Sequence, residues 1–385
     1  MFINVVVSLE DMDKSILKKI GRKSERDKIT VLEKEISTTK YNKKTQHHIG
    51  LVKAKIRKLK EKQAIKAAKK SVHDKYSVKK TGHATVIVIG FPSVGKSTLL
   101  NAITDANSKI ASYEFTTLRV IPGLLNYNGA KIQILDVPGI VQGAADGTGR
   151  GREVLSVMRN ADLVVFLIDV NKPEHLEVLK KEVYDSHLRV NKNKPDIKIK
   201  KKDKGGIDLG FTVKQRKITG DMVKDIMKEF GIVNAQVVIR DPITPEDLMD
   251  TIQDNKIYIP AMIVLNKIDT ISSEKLKRLK KKLKADLCIS ADKKVNLEEF
   301  KEMIFKKLRL IRVYCKEIGH KPDMNEPVIL RKDATLKDFC EKLHRDFVGK
   351  FIYAKVWGST KFPGQDFRRL DRELKDKDVV ELHLD

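Results

Sequence analysis

Cysteine is scarce in this 385-residue chain: there are three, Cys288, Cys315 and Cys340, with no C-x-x-C pair among them. That argues against a disulfide-stapled scaffold or a zinc ribbon and fits a reducing compartment. Long apolar runs are missing too. The longest, such as LVVFLI at 163–168, falls far short of the ~18 residues a membrane-spanning helix needs. The opening residues, MFINVVVSLEDMDK, bring acids early and lack the basic-then-apolar order of a signal peptide. Together these absences predict a cytoplasmic protein without a membrane partner. Acidic residues are also in deficit, 52 against 78 Lys and Arg, for a formal net charge of +26. Such an excess predicts attraction to polyanions and says nothing about fold.

The excess is concentrated. Residues 1–82 carry 23 basic and 9 acidic residues, and 40–80 alone carry 15 and 2. At that density ion pairing is expected to run out, which predicts polyanion contact by the segment. Two smaller basic runs follow, IKIKKKDK at 197–204 and KLKRLKKKLK at 275–284; the second reads as a solvated helix face. Three helices are expected within 1–82. One covers 8–20, one starts at Ser24 and Asp27 and carries Ile29, Leu32 and Ile36, and one runs from Gln46 to Lys70. The last places Ile49, Val52, Ile56 and Leu59 on one face, but the seam breaks at Gln63 and Lys66, so no long coiled coil follows. A helix-turn-helix and a small docking module fit these helices equally.

From Thr85 the texture changes. TVIVIGF (85–91), KIQILDV (131–137), DLVVFLIDV (162–170) and YIPAMIVLNK (258–267) are apolar on both faces, as strands of a parallel sheet covered by helices are. The predicted class is therefore α/β. Between Asp169 and Asn266 lie 96 residues, whereas a parallel crossover needs about a dozen; an inserted α+β subdomain is expected at 172–255. After a helix near 297–310 the order strand, strand, helix, strand, strand predicts a separate domain at 312–385. The expected division is thus 1–82, a domain at 83–311 interrupted by 172–255, and 312–385.

GFPSVGKST at 90–98 follows a buried strand and precedes a helical segment, the context that makes GxxxxGKS a phosphate-binding P-loop. Gly90 and Gly95 let backbone N–H groups wrap phosphate oxygens, with Ser93, Val94 and Thr98 completing the loop. Lys96 neutralises β/γ charge and the Ser97 hydroxyl can ligate Mg²⁺. Asp136 ends the next core strand and opens DVPG (136–139). Its carboxylate can hold Mg²⁺ through water, and the Gly139 N–H can meet a γ-phosphate. In YEFTTL (113–118) a threonine hydroxyl should complete the Mg²⁺ shell, Thr117 in preference to Thr116. NKID (266–269) closes another strand. Asp269 can accept from both N1–H and the 2-amino group of guanine, donors that adenine lacks. Asn266 orients the loop and can reach the base, and the stem of Lys267 can cover it. In CISAD the N–H groups of Ser290 and Ala291 are candidates for guanine O6. The five motifs in order predict a GTP/GDP site.

With these motifs together, the chain resembles the developmentally regulated GTP-binding proteins, a branch of the Obg-related GTPases. The likeness covers nearly the whole chain: YNKKTQHHIGLVKAKIRKL at 41–59, GFPSVGKSTLL, FTTL, DVPGIVQGAADGTGRGREV, LRVNKNKPDI, KKKDKGGI, YIPAMIVLNKID, and RVYCKEIGHKPD through YAKVWGS. The resemblance implies a P-loop GTPase domain with a ribosomal-S5-domain-2-like α+β insert. It also implies an N-terminal helix-turn-helix region and a C-terminal ubiquitin-like β-grasp (TGS) domain. It further implies GTP hydrolysis to GDP and phosphate, association with the ribosome and its rRNA, and a dedicated regulatory partner protein. KKKDKGGI leans towards the first of two eukaryotic subgroups, and archaeal relatives also fit.

Two departures bear on rate. The residue after DxxG is Ile140, not the Gln that orients water in Ras-like enzymes. Ser93 stands where related K⁺-using GTPases often carry Asn, so K⁺ stimulation is an open expectation. Gly143, Gly147, Gly149 and Gly151 predict a loop that orders on γ-phosphate contact. His47 and His48 read as capping or surface residues. Phe91 should pack beneath the P-loop, and Trp357 with Tyr353 reads as core packing, with an RNA or protein contact as the alternative. The leading expectation is a slow GTPase, stimulated by a partner, the ribosome or K⁺. The alternative is an RNA- or DNA-binding module in which hydrolysis is incidental.

Overall fold

The computed structural model describes residues 25–40, 42, 45–68, 82–104, 121–136 and 160–385. The helix expected at 8–20, Thr116 and Thr117, and the 137–159 stretch with Gly139, Ile140 and the glycine-rich loop lie outside the described residues. In chain order come helices α1 (Glu25–Thr38) and α2 (Gln46–Ala68), strand β1 (Ala84–Ile89), α3 (Lys96–Ile103), β2 (Ile121–Tyr127), β3 (Ala130–Asp136), β4 (Leu163–Asp169), α4 (His175–Asp185) and β5 (Leu188–Val190). Next are β6 (Ile197–Lys201), β7 (Ile207–Phe211), α5 (Gly220–Glu229), β8 (Ala235–Ile239) and α6 (Pro245–Gln253). Then follow β9 (Ile257–Ile259), β10 (Ala261–Asn266), α7 (Ser273–Leu283), β11 (Leu287–Cys288) and α8 (Leu297–Lys307). The last part holds β12 (Leu310–Cys315), β13 (Val328–Arg331), α9 (Leu336–Leu343), β14 (Phe351–Trp357), β15 (Gln365–Phe367) and β16 (Asp378–Leu384). Two compact units emerge, one from 1–73 and 193–256, the other from 74–192 and 257–385.

The second unit is built on a six-stranded sheet of order β11-β10-β4-β1-β3-β2. Its neighbours run parallel except β2, which is antiparallel to β3. Every residue of β1 is buried because helices cover both faces. Ile87, Val164, Phe166 and Ile168 pack with Leu176, Leu179 and Val183 of α4. Val86, Val88, Ile132 and Val165 pack on the other side with Leu99, Leu100 and Ile103 of α3 and Phe300 and Ile304 of α8. Each such side chain withdrawn from water contributes about 1.5–3 kcal/mol. Strand β2 has no clear apolar signature: IPGLLNY holds Pro and Gly, which only an edge strand tolerates. Gly123 has a local reason, since a Cβ there would lie 2.5 Å from Cγ2 of Thr104.

The expected start of the insert at 172 falls too early. Helix α4 and strand β5 belong to the sheet domain, with Leu176 and Leu188 in its core and β5 paired in parallel with β9. A parallel strand needs a helix to pack back on its sheet before the next strand, and α4 supplies it.

In the first unit, β6, β8 and β7 form a three-stranded sheet. Ile197, Val237 and Ile239 face Met222, Val223 and Ile226 of α5 and Leu248 and Met249 of α6, and α2 adds Ala54 to that cluster. Thr244 and Asp247 close a capping box at the start of α6. Helices α1 and α2 share Ile29, Leu32, Val52 and Ile56, the positions the 3–4 spacing marks. Four cations of α2 are ion-paired, more than the charge density of 40–80 suggests, while residues 69–80 lie outside the described residues. Arg57 reaches Asp250 at 2.6 Å, Lys53 reaches Glu246 at 2.5 Å, Lys58 reaches Glu229 at 3.3 Å and Lys60 reaches Glu33 at 2.8 Å. His47 and His48 sit 3.2 and 2.8 Å from Asp225 and Glu35.

The C-terminal sheet has order β13-β12-β16-β14-β15. Only the central β12–β16 pair is parallel, and α9 covers one face with Leu336 and Phe339, a β-grasp arrangement. Strand β13 is tied to the sheet domain by Arg331, 2.5 Å from Asp162. The Trp357 ring has Gly364 close against it and the Lys316 ammonium 4.9 Å from its centroid. Tyr353 stacks on His383 with centroids 4.1 Å apart. The cysteines are free thiols. Among the described residues no helix is long and apolar enough to cross a membrane.

Candidate nucleotide site

Strands β1, β3 and β10 end at one edge of the parallel sheet, and the residues after them line a cleft of about 830 Å³. Ligand pockets typically span ~300–1,000 Å³. The turn after β1 is shaped by close approach. A Cβ on Gly90 would lie 2.7 Å from the Leu167 carbonyl oxygen. Ser93 (φ 62°) and Gly95 (φ 95°) take left-handed backbone conformations, which curl successive peptide groups into an anion-binding concavity. Helix α3 starts directly after, and Gly95 at its N-cap offers no side-chain cap. The first-turn N–H groups, Lys96 to Thr98, are thus left for an anion.

Lys96 Nζ donates to the carbonyls of Gly90 (2.9 Å) and Phe91 (3.2 Å). Burial pulls its pKa down, with the Asp136 carboxylate opposing. Asp136 is buried, and its Oδ1 has no hydrogen-bond partner among the described residues. Burial pushes its carboxyl above the usual range, against the pull of Lys96 and of a hydrogen bond from Ser97. An orphaned buried carboxylate oxygen needs a partner, and a hydrated Mg²⁺ beside the Ser97 hydroxyl fits that donor set.

At the other end, Asn266 is fully enclosed. Its Nδ2 donates to the Val94 carbonyl at 2.8 Å, and its Oδ1 accepts from the Ala291 N–H at 3.0 Å. Lys267, at φ 65°, places Nζ 2.7 Å from Asp169, which fixes its stem across the cleft. Burial would raise the pKa of Asp169, but the hydrogen bonds from Lys267 and Asn171 outweigh it and hold the carboxyl low. Asp269 is exposed, and a hydrogen bond from Ser290 is the main cause of its lowered pKa.

Of the sequence candidates, Gly90, Ser93, Gly95, Lys96, Ser97, Thr98, Asp136, Asn266, Lys267, Asp269, Ser290 and Ala291 all line the cleft. Val94 does not: its side chain is buried in the core beneath the loop, and its carbonyl serves Asn266. The donors proposed for guanine O6 are also otherwise engaged. Ser290 N–H goes to the Val295 carbonyl at 3.2 Å, and Ala291 N–H goes to Asn266. Ser290 instead sets the Asp269 carboxylate. Phe91 stacks on His175 with centroids 3.8 Å apart, in keeping with a packing role. Sequence reasoning missed Phe91, Pro92, Thr270 and Asp292 as lining residues, and the Asp169–Lys267 pair. Only the position of Asp169 at a strand end hinted at that pair.

A P-loop before a helix, a carboxylate at the end of β3 and an Asn-Lys-x-Asp turn after β10, on a parallel sheet, define a P-loop GTPase. A family model described as "50S ribosome-binding GTPase" matches residues 85–202, one described as "C-terminal region of MMR_HSR1 domain" matches 204–310, and one described as "TGS domain" matches 311–384. An uncharacterized GTP-binding protein of Methanocaldococcus jannaschii is 48% identical over 361 residues, 92% of each chain. Developmentally-regulated GTP-binding protein 2 of Homo sapiens is 42% identical over 360 residues, 92% of this chain and 98% of that one. Developmentally-regulated GTP-binding protein 1 of Xenopus laevis is 41% identical over 361 residues, with the same coverage. The chain belongs to the developmentally regulated GTP-binding proteins. It is a GTP-hydrolysing enzyme.

Proposed function

We propose that this GTPase turns over slowly by itself, in the cytoplasm, and is stimulated on the ribosome and its rRNA, by a regulatory partner protein, or by K⁺. The observation that carries the site assignment is the orphaned Oδ1 of Asp136 beside Lys96 and Ser97. Bound Mg²⁺ would supply charge neutralisation between β- and γ-phosphates. Lys96 would bind the same phosphates, and Ser97, Thr117 and Asp136, the last through water, would hold the ion. The Gly139 N–H would meet the γ-phosphate. Asp269 reads the guanine edge, Lys267 covers the base and Asn266 locks the two loops together.

The slow basal rate follows from Ile140, whose side chain has no polar atom to hold the attacking water. Phosphoryl transfer depends on positioning and charge stabilisation, so an element supplied in trans is the natural accelerator. The test is GTP turnover by the purified protein with and without ribosomes, in KCl and in NaCl. Stimulation by ribosomes or KCl is expected, and fast turnover by the protein alone in NaCl overturns the reading. Lys96→Ala and Ser97→Ala should each abolish turnover.

A further inference from the structure

The charges of the inserted segment are sorted by position. In residues 192–217 ten are Lys or Arg and three are Asp; in 218–256 four are basic and eight acidic. The acidic half builds α5 and α6, whose Glu229, Glu246 and Asp250 meet Lys58, Lys53 and Arg57 of α2. The basic half builds β6, β7 and the turn between them. In β6, Ile197 and Ile199 turn towards the helices; Lys198 and Lys200 therefore point to the opposite face, and both are exposed.

Strand register arranges that opposite face in two rows, Lys198–Val238–Gly210 and Lys200–Gln236–Asp208. Gln236 and Gly210 are exposed as well, so the face is open to water. At its end Lys204 leads into Gly205 and Gly206, with φ of 100° and 73° and no atom within 4 Å of either glycine's Cβ position. Asn234 holds the turn, accepting from the Gly206 N–H at 2.8 Å and donating to the Asp203 carbonyl at 3.0 Å. The two rows present no aromatic ring, so the face has no platform for stacking bases. Lys202 is paired with Asp208, so the charge offered by the face comes from Lys198, Lys200 and Lys204, and such a non-aromatic surface suits contact with phosphates and sugars of a helical polyanion.

We propose that this open face of the β6–β8–β7 sheet docks on the phosphate backbone of structured RNA, while Lys53, Arg57 and Lys58 of α2 hold the insert rather than the RNA. The choice of RNA over DNA rests on the ribosome reading above; the choice of face rests on the charge layout alone.

The test uses the full chain carrying Lys198→Glu, Lys200→Glu and Lys204→Glu, and a second variant with Lys55→Glu and Lys62→Glu on α2. Binding is measured against an RNA duplex of about 20 base pairs, the matching DNA duplex, and purified ribosomal subunits, across a KCl series. The log–log salt slope should fall by roughly 0.7–0.9 for every phosphate the variant no longer neutralises. The sheet variant is expected to lose about two units of slope, and the α2 variant none, with melting temperature and GDP affinity kept in both. An unchanged slope in a folded sheet variant overturns the proposal, and equal binding of the DNA duplex overturns the assignment to RNA. If the parent binds the RNA duplex through this face yet ignores ribosomal subunits, the ribosome reading fails while the face stands.

Discussion

The side-chain amide of Asn266 occupies the space beside Gly95: a Cβ on that glycine would stand 2.6 Å from Asn266 Nδ2. The phosphate loop and the base-recognition turn are therefore fitted to each other. Gly95 also sits at φ 95°, which L side chains rarely adopt. Gly95→Ala should displace Asn266 and release its bonds to Val94 and Ala291. Calorimetric titration is expected to show GDP affinity down at least about tenfold, and the melting curve a loss of about 1–3 kcal/mol. Parent-like values in both would show that the loop can shift without Asn266.

Asp269 is the group proposed above to distinguish guanine from adenine. Asp269→Asn keeps the size but loses an acceptor and puts a donor opposite the two guanine donors. GTP affinity should fall about 10- to 100-fold, and the preference for GTP over xanthosine triphosphate should shrink or reverse, because xanthine presents an acceptor at that edge. Unchanged GTP binding would remove Asp269 from the base site.

Burial raises the Asp136 pKa, and this gives a pH signature. A carboxyl with a higher pKa folded than unfolded contributes stability that is fully present below the unfolded value, about 4, and lost as pH rises through the folded one. In protein free of nucleotide and metal, Asp136→Asn should melt near the parent at acid pH and above it at neutral pH. Adding GDP with Mg²⁺ should raise the parent more than the variant. A melting difference constant across pH would mean that burial does not penalise this charge.

Arg57 and Asp250 form the most enclosed ion pair between α2 and the insert, with side-chain exposures of 16% and 2%. Arg57→Ala removes the cation paired with a buried carboxylate and should cost about 3 kcal/mol or more in chemical denaturation. Lys60→Ala, at a pair more than half exposed on both sides, should cost under about 1 kcal/mol. Equal effects would mean that the two pairs are solvated alike.

Much of the nucleotide site was legible because each motif caps an apolar strand, and a parallel sheet brings the ends of such strands to one edge. Lys96, Asp136 and Asp269 could be placed from that logic alone. The destinations of the backbone N–H groups of Ser290 and Ala291 could not, since Val295 and Asn266 compete for them only once the loop is closed. Nor could the partners of α2. The acids that meet Lys53 and Arg57 lie 193 positions away in sequence, where a local charge count does not reach. Strand β2 was hidden by Pro122 and Gly123, residues admitted by its place at the sheet edge.

The chain order of these partners also sets a timetable for synthesis. Helix α2 is complete at Ala68, while α5 and α6 end at Glu229 and Gln253. At roughly 5–20 residues per second, α2 waits about ten to forty seconds for the surface it covers. During that interval Ala54 and the cations of α2 lack the partners supplied by the insert, and α1 alone is available to shelter Val52 and Ile56. The nascent chain thus carries an exposed cationic helix beside ribosomal RNA until the insert is made, and nascent-chain proteolysis should find α2 protected only after α6 has left the tunnel.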